Sequence, residues 1–277
     1  MSLILRNEDN ANRSIVDAGN PHLPDVYFNR IRLASGESLT LDVPGFETVV
    51  VVQTGQCDVA VGTELFTGVG GRRDIWSGKA DSVYLGTGQP FTITATSSLE
   101  AVVAGGAFTE ARKPFRVGPD EVESVVVGSS DTKSKREIFH ILGQNANDRA
   151  GNLLVSELYA EDGCWSGYPP HKHDTHRNGE TNHAELYHYR YNPPTGFGAQ
   201  FHYHDNGTPE AVMTLDGDTY LLPTGYHPTV TSPGHSAYVF TILVGRDQRG
   251  LVQHFDQTHD HLIDYIPGLG AMRDKFK

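Results

Sequence analysis

All but two of the fourteen histidines, His22 and His140, follow Cys164. The densest cluster reads Tyr168-Pro169-Pro170-His171-Lys172-His173-Asp174. Residues two apart on a strand project to one face, so His171 and His173 can address a single point, as two ligands of one metal ion must. Glu185 opens a second strand-like run, Glu185-Leu186-Tyr187-His188-Tyr189-Arg190. His227 stands in Pro223-Thr224-Gly225-Tyr226-His227-Pro228, a turn beside a strand. Three imidazoles and a carboxylate suit Zn, Mn, Fe, Co or Ni, and on a six-coordinate ion they leave positions open for a substrate. The expectation is one divalent ion on His171, His173, Glu185 and His227, and none in the N-terminal half.

Neighbouring residues compete for the same role. His176 and His183 fall in the polar stretch 175–184 and read as solvated. His188 lies at an odd offset from Glu185 and faces the other side of its strand. Glu180 is an alternative carboxylate ligand, set in a loop. His202 and His204 repeat the two-residue spacing, and either line the same cavity or face solvent at a strand end. His235 reads as a turn residue, and His254, His259 and His261 as tail residues. Tyr187 and Tyr189 share the face of Glu185, as proton donors in the cavity or as core aromatics. Gln200, Tyr203 and Tyr226 are further candidates, while Lys172 and Arg190 should point away.

Such side chains need a scaffold of short strands. From Val26 to Phe108, apolar runs such as Glu47–Val52, Cys57–Val61, Ser82–Leu85, Phe91–Ala95 and Leu99–Ala104 alternate with Gly-rich turns. Strands of about five residues at about ten-residue spacing predict a sandwich or barrel. Asp131–Arg136 and Gln144–Arg149 read as loops around one strand, Glu137–Leu142. The strand rhythm returns from Leu153 onward. The expected organisation is an N-terminal barrel without metal (1–114), a bridging segment (115–150), a metal-binding barrel (151–257) and a loosely docked tail (258–277).

The formal charge of −12 argues against nucleic acid and anionic membrane as partners. Cys57 and Cys164 are the only cysteines, too few for a disulfide framework or a Cys-rich zinc site. No basic and apolar leader opens the chain, and no run approaches a membrane span, so a cytoplasmic protein is expected. A homo-oligomer remains open. No phosphate-binding loop, nucleophile elbow or zincin motif occurs.

The segments 168–174, Glu185–Arg190, Asn192-Pro193-Pro194-Thr195-Gly196-Phe197-Gly198 and Pro223–Pro228 resemble the 5-deoxy-glucuronate isomerases of inositol breakdown. These are bicupins, similar to the ketol-isomerases of hexuronates. The resemblance is close from about Ser156 to Gly245 and faint before. It implies an all-β chain of two antiparallel barrels, with metal in the second on His171, His173, Glu185 and His227. Three departures stand out. Ala184 replaces the first of two adjacent acids, Phe201 replaces an arginine, and 246–251 replaces an Arg- and Trp-bearing stretch.

The reading is therefore a metal-dependent aldose–ketose isomerase of a small sugar acid, 5-deoxy-glucuronate by resemblance. Tyr187, Tyr203 and His202 are candidate proton carriers. Gln200, His204, Tyr189 and Tyr226 are candidate substrate contacts, with His202 and His204 as substitutes for the missing arginine. A cupin dioxygenase on the same ligands, a non-catalytic sugar-binding cupin and a structural metal site are the alternatives.

Overall fold

The run Glu47–Val52 is apolar without alternation because its strand is buried on both faces. Val50 and Val52 enter a core with Ile31, Val59 and Ile93, whereas Val49 and Val51 enter another with Phe28, Leu186 and Phe240. The first of these cores fills the N-terminal barrel. The second is the seam between two barrels. The computed structural model describes residues 3–10 and 12–276.

The N-terminal barrel has two facing antiparallel sheets. One runs in the order Phe115–Val117, Asp81–Leu85, Phe46–Thr54, Leu99–Ala107, Val26–Leu33, Ser14–Val16. The other runs Ser38–Leu41, Phe91–Ala95, Gln56–Val61, Glu64–Gly70. In the second barrel the large sheet runs Ile4–Leu5, Thr219–Leu222, Glu180–Asn192, Ser236–Gly245, Leu153–Ala160, Arg136–Leu142, Glu123–Val127. Its smaller sheet runs Trp165–Ser166, Thr229–Thr231, Phe197–His202, Glu210–Leu215. The expected all-β bicupin is what the chain adopts.

Alternation divides each strand of the large second sheet between two environments. Glu185, Leu243 and Leu158 face the barrel interior, while Leu186, Val244 and Val155 face the seam. Polar groups lock the seam. Arg72 donates to both oxygens of Glu157 across the barrels, at 2.9 and 2.6 Å, with both side chains buried. Glu47 accepts from Gly151 N and Leu153 N, each at 2.7 Å, and from the Tyr84 hydroxyl.

The structure corrects three local expectations. The segment 115–150 supplies strands to both barrels, because its apolar residues alternate and each half finds an open sheet edge. Arg136, expected in a loop, begins a strand and is buried. The tail is docked: Ile266, Leu269 and Met272 bury against Val125, Val127 and Leu251, and Gly128 N donates to Pro267 O. Among the described residues no helix is long and apolar enough to cross a membrane.

Candidate metal centre

His171 and Lys172 pair with His254–Phe255, which fixes the first imidazole at the mouth of the second barrel. His173, two residues on, turns the same way. Glu185 and Tyr187 come from the inner face of Glu180–Asn192, and His227 from the turn after Thr219–Leu222. All four proposed ligands are buried. The ligand-capable nitrogens of His171, His173 and His227 lie within 4.8 Å of one another.

Hydrogen bonds settle which ring nitrogen faces inward. His171 Nδ1 lies 3.0 Å from Pro169 O, His173 Nδ1 3.3 Å from His183 O, and His227 Nδ1 2.8 Å from Gly225 O. A carbonyl oxygen only accepts, so each Nδ1 carries a ring proton, and in the neutral ring that ligates a metal each Nε2 presents a lone pair. Glu185 Oε2 stands 3.0 Å from His173 Nε2 and 3.1 Å from His227 Nε2. Without a cation, and against the pull of burial, Glu185 raises the His173 pKa and favours a second proton on that ring, whereas with neutral rings lone pairs face lone pairs, and His227 Nε2 has no hydrogen-bond partner. A cation between them resolves the conflict, and two ligand bonds of about 2.1 Å at a right angle separate their donor atoms by about 3 Å. The donor set fits a divalent metal. Burial, then the neighbouring His227 and His173, push the His171 pKa well below its ordinary value, which keeps that ring neutral for ligation.

A second set of contacts holds the ligands in place. Asp174 accepts from Lys172 Nζ at 2.6 Å and from Gly225 N at 2.7 Å, tying the loop of His171 and His173 to that of His227. Lys172 also donates to Glu180, so Glu180 is engaged outside the ligand cluster. Gln200 Nε2 donates to His227 O at 2.9 Å and to Pro228 O at 3.2 Å, and Gln200 Oε1 accepts from the Tyr189 hydroxyl at 2.5 Å. Gln200 and Tyr189 thus stand behind His227 rather than facing a substrate. Tyr187 lines the same cavity as His171 and Glu185. Burial, then the Glu185 charge, push its phenol well above the ordinary value, so it remains a proton donor.

His202, Tyr203, His204 and Tyr226 do not line this cavity either. His202, Tyr203 and His204 line an outer groove with Leu3, Glu210 and Tyr220. His202 Nε2 is engaged by Thr224 O at 2.7 Å. Tyr203 donates to Asp256 at 2.7 Å and stacks on Tyr226 at 5.0 Å. The inward strand ends at His202, so parity beyond it no longer refers to the interior. His183, expected in solvent, is buried against Arg249 O, and His188 packs on Phe28 of the first barrel.

Two residues enter unannounced. Gln253 Nε2 sits 2.9 Å from His171 Nε2, brought there by the pairing of His254–Phe255 with the first ligand strand. Arg136 lines the cavity with Ser156, Leu158 and Leu243. The signal for Arg136 was present: it shares strand parity with the buried Ile138. Nothing local marked Gln253. The cavity is about 50 Å³, and Leu251, Gln253 and Met272 also line it.

Comparison with known proteins places the chain among relatives. The KduI/IolB family model matches residues 3–262. The 5-deoxy-glucuronate isomerase of Bacillus velezensis is 29% identical over 252 residues, covering 90% of this chain and 92% of the relative. That of Shouchella clausii is 31% identical over 203 residues, covering 72% and 74%. An IolB-like protein from Salmonella typhimurium superposes with a TM-score of 0.87 at 29% identity, over 95% of this chain and 99% of its own. Oxalate decarboxylase of Bacillus subtilis, at 15% identity and a TM-score of 0.64 over 92% and 80%, shares the fold alone. The protein is an enzyme of the isomerase class. The chain belongs to the KduI/IolB family.

Proposed function

We propose that the protein interconverts 5-deoxy-glucuronate and its 2-ketose, with one divalent ion held by His171, His173, Glu185 and His227. The observation that carries this reading is the buried convergence of three Nε2 lone pairs and one carboxylate beside a protonated phenol. Its relatives' name supplies the substrate. A bound divalent cation would contribute Lewis-acid polarisation of the substrate carbonyl. Isomerisation moves one proton between neighbouring carbons and one between their oxygens, and consumes no redox cofactor. Tyr187 Oη serves the oxygen-bound proton, because it stays protonated and faces the Glu185 end of the cavity. Ile138, Leu158, Leu243 and Met272 form apolar walls that exclude water.

The test is metal-loaded protein with 5-deoxy-glucuronate in deuterated water, followed by NMR. Loss of the aldehyde-derived signals with deuterium entering the product at C1 is expected. A chelator should stop it, and His227→Ala should lose both the bound metal and the turnover. Oxygen uptake without isomerisation would replace this reading with a dioxygenase. Undiminished metal binding in His227→Ala would overturn the ligand set.

A further inference from the structure

The metal cavity contains one cation without an anionic partner. Arg136 is 2% exposed, and two of its five N–H donors go to backbone oxygens, Ser134 O at 2.8 Å and Tyr168 O at 2.7 Å. Among the described residues no carboxylate forms an ion pair with it. Of the other buried cations, Arg30, outside this cavity, also lacks a carboxylate and donates to Asn7 Oδ1 and Glu8 O, whereas the rest are engaged more fully. Arg72 has Glu157, Lys172 has Asp174 and Glu180, and Arg249 is spread over the carbonyls of Leu142, Gly143 and Gly151.

Burying a lone guanidinium costs several kcal/mol, and a neutral side chain could cap two carbonyls more cheaply. Burial pushes Arg136 down to about 10, which still leaves it charged at neutral pH. Glu185 and Tyr187 line the same cavity, and neither forms an ion pair or hydrogen bond with Arg136. An incoming carboxylate would therefore meet an unpaired planar fork with donors to spare.

We propose that Arg136 receives the carboxylate of the sugar-acid substrate, while the aldehyde end lies at Glu185 and the three histidines. This rests on the isomerase reading above. It moves the carboxylate anchor from His202 and His204, which line the outer groove, to a residue inside the barrel. It also makes Arg136 the residue that selects acids over neutral sugars. An aldose that ends in CH₂OH leaves the guanidinium unpaired and loses the charge-assisted bonds.

The test compares 5-deoxy-glucuronate with 5-deoxy-glucose, which differs only in carrying CH₂OH for the carboxylate. Wild type, Arg136→Gln and Arg136→Lys are assayed for kcat and KM on both. Bound metal and thermal midpoint are measured for each. Binding of the borohydride-reduced acid, which cannot isomerise, is titrated by calorimetry. Arg136→Gln should weaken the acid roughly a hundredfold in KM and in calorimetric affinity, with metal content and the neutral sugar unchanged. Arg136→Lys keeps the charge but not the fork, and should lose about tenfold for the acid alone. If Arg136→Gln does not fold, Arg136→Lys decides. A variant whose affinity for the acid stays within about threefold of wild type, or falls equally for both sugars, overturns the proposal. Wild-type protein that isomerises neither sugar but binds the reduced acid in an Arg136-dependent way overturns the isomerase reading and leaves the anchor standing.

Discussion

Three imidazoles that each give a ring proton to a backbone carbonyl have no freedom about which nitrogen faces inward. That preorganisation comes from turn geometry, with Gly225 O and Pro169 O each two residues from the ring they fix. Tyr187 is the residue whose loss should separate chemistry from metal binding. Tyr187→Phe keeps the ring and the packing but removes the proton. Turnover is expected to fall by about 10²–10⁴-fold with bound metal unchanged, read as kcat beside metal content. A variant that keeps full kcat would remove Tyr187 from the proton path. At this scale the sequence was legible where spacing carried the information: His171 and His173, Glu185 and Tyr187. Gln253 and the outward course of His202 and Tyr203 were not legible. The first depends on a pairing between residues some eighty positions apart, and the second on where a strand stops.

Strand parity decides most of the architecture. The same alternation that sends Glu185 inward sends Leu186 to the seam, and its period is visible in the chain. The tail was misjudged because its His- and Asp-rich start, His259-Asp260-His261, conceals the apolar anchors Ile266, Leu269 and Met272 that follow. Its docking reaches the cavity. The cavity of about 50 Å³ is small beside a six-carbon acid, and Leu251, Gln253 and Met272, from the tail and the segment before it, are part of its lining. Gly268 is where the tail joins the sheet: its φ is +75°, and a Cβ there would meet Val126 O at 2.3 Å. Gly268→Ala should release the tail, at a cost of about 1–3 kcal/mol. Limited proteolysis should then cut within 257–268 faster than in wild type, while metal content holds. Unaltered protection would show that the tail docks by other means.

For the whole molecule, the two barrels share one buried seam; His188, expected on the strand face away from Glu185, lies in it, and His183, expected in solvent, is buried beside His173. Burial, with Arg30 and Arg190 nearby, holds His188 well below its ordinary pKa. Burial, then His173, pushes His183 down to about 4. Both rings are neutral in the fold but take up protons once the chain unfolds, near pH ~6.5. Below that value the unfolded state binds more protons, so stability is complete above ~6.5 and declines as the pH falls toward the folded values. Urea midpoints measured from about pH 7.5 to about 4.5, with chelator present throughout, should fall steadily. His188→Leu should show a shallower decline. Equal slopes in both proteins would mean that His188 does not contribute.

The strand Ile4–Leu5 lies on the edge of the second barrel, paired with Thr219–Tyr220 and followed by an Arg6–Asp218 ion pair at 2.6 Å. In a chain made from its N-terminus, those residues wait for partners that follow roughly two hundred positions later, on the order of ten to forty seconds of translation. The first barrel can close during that interval, but the second cannot finish its sheet until Thr219–Leu222 and Ser236–Gly245 have been made. Capture of a metal through the proposed ligand His227 would thereby follow closure of the first barrel, and a bulky group placed just before Ile4 would burden the barrel made later rather than the one made first.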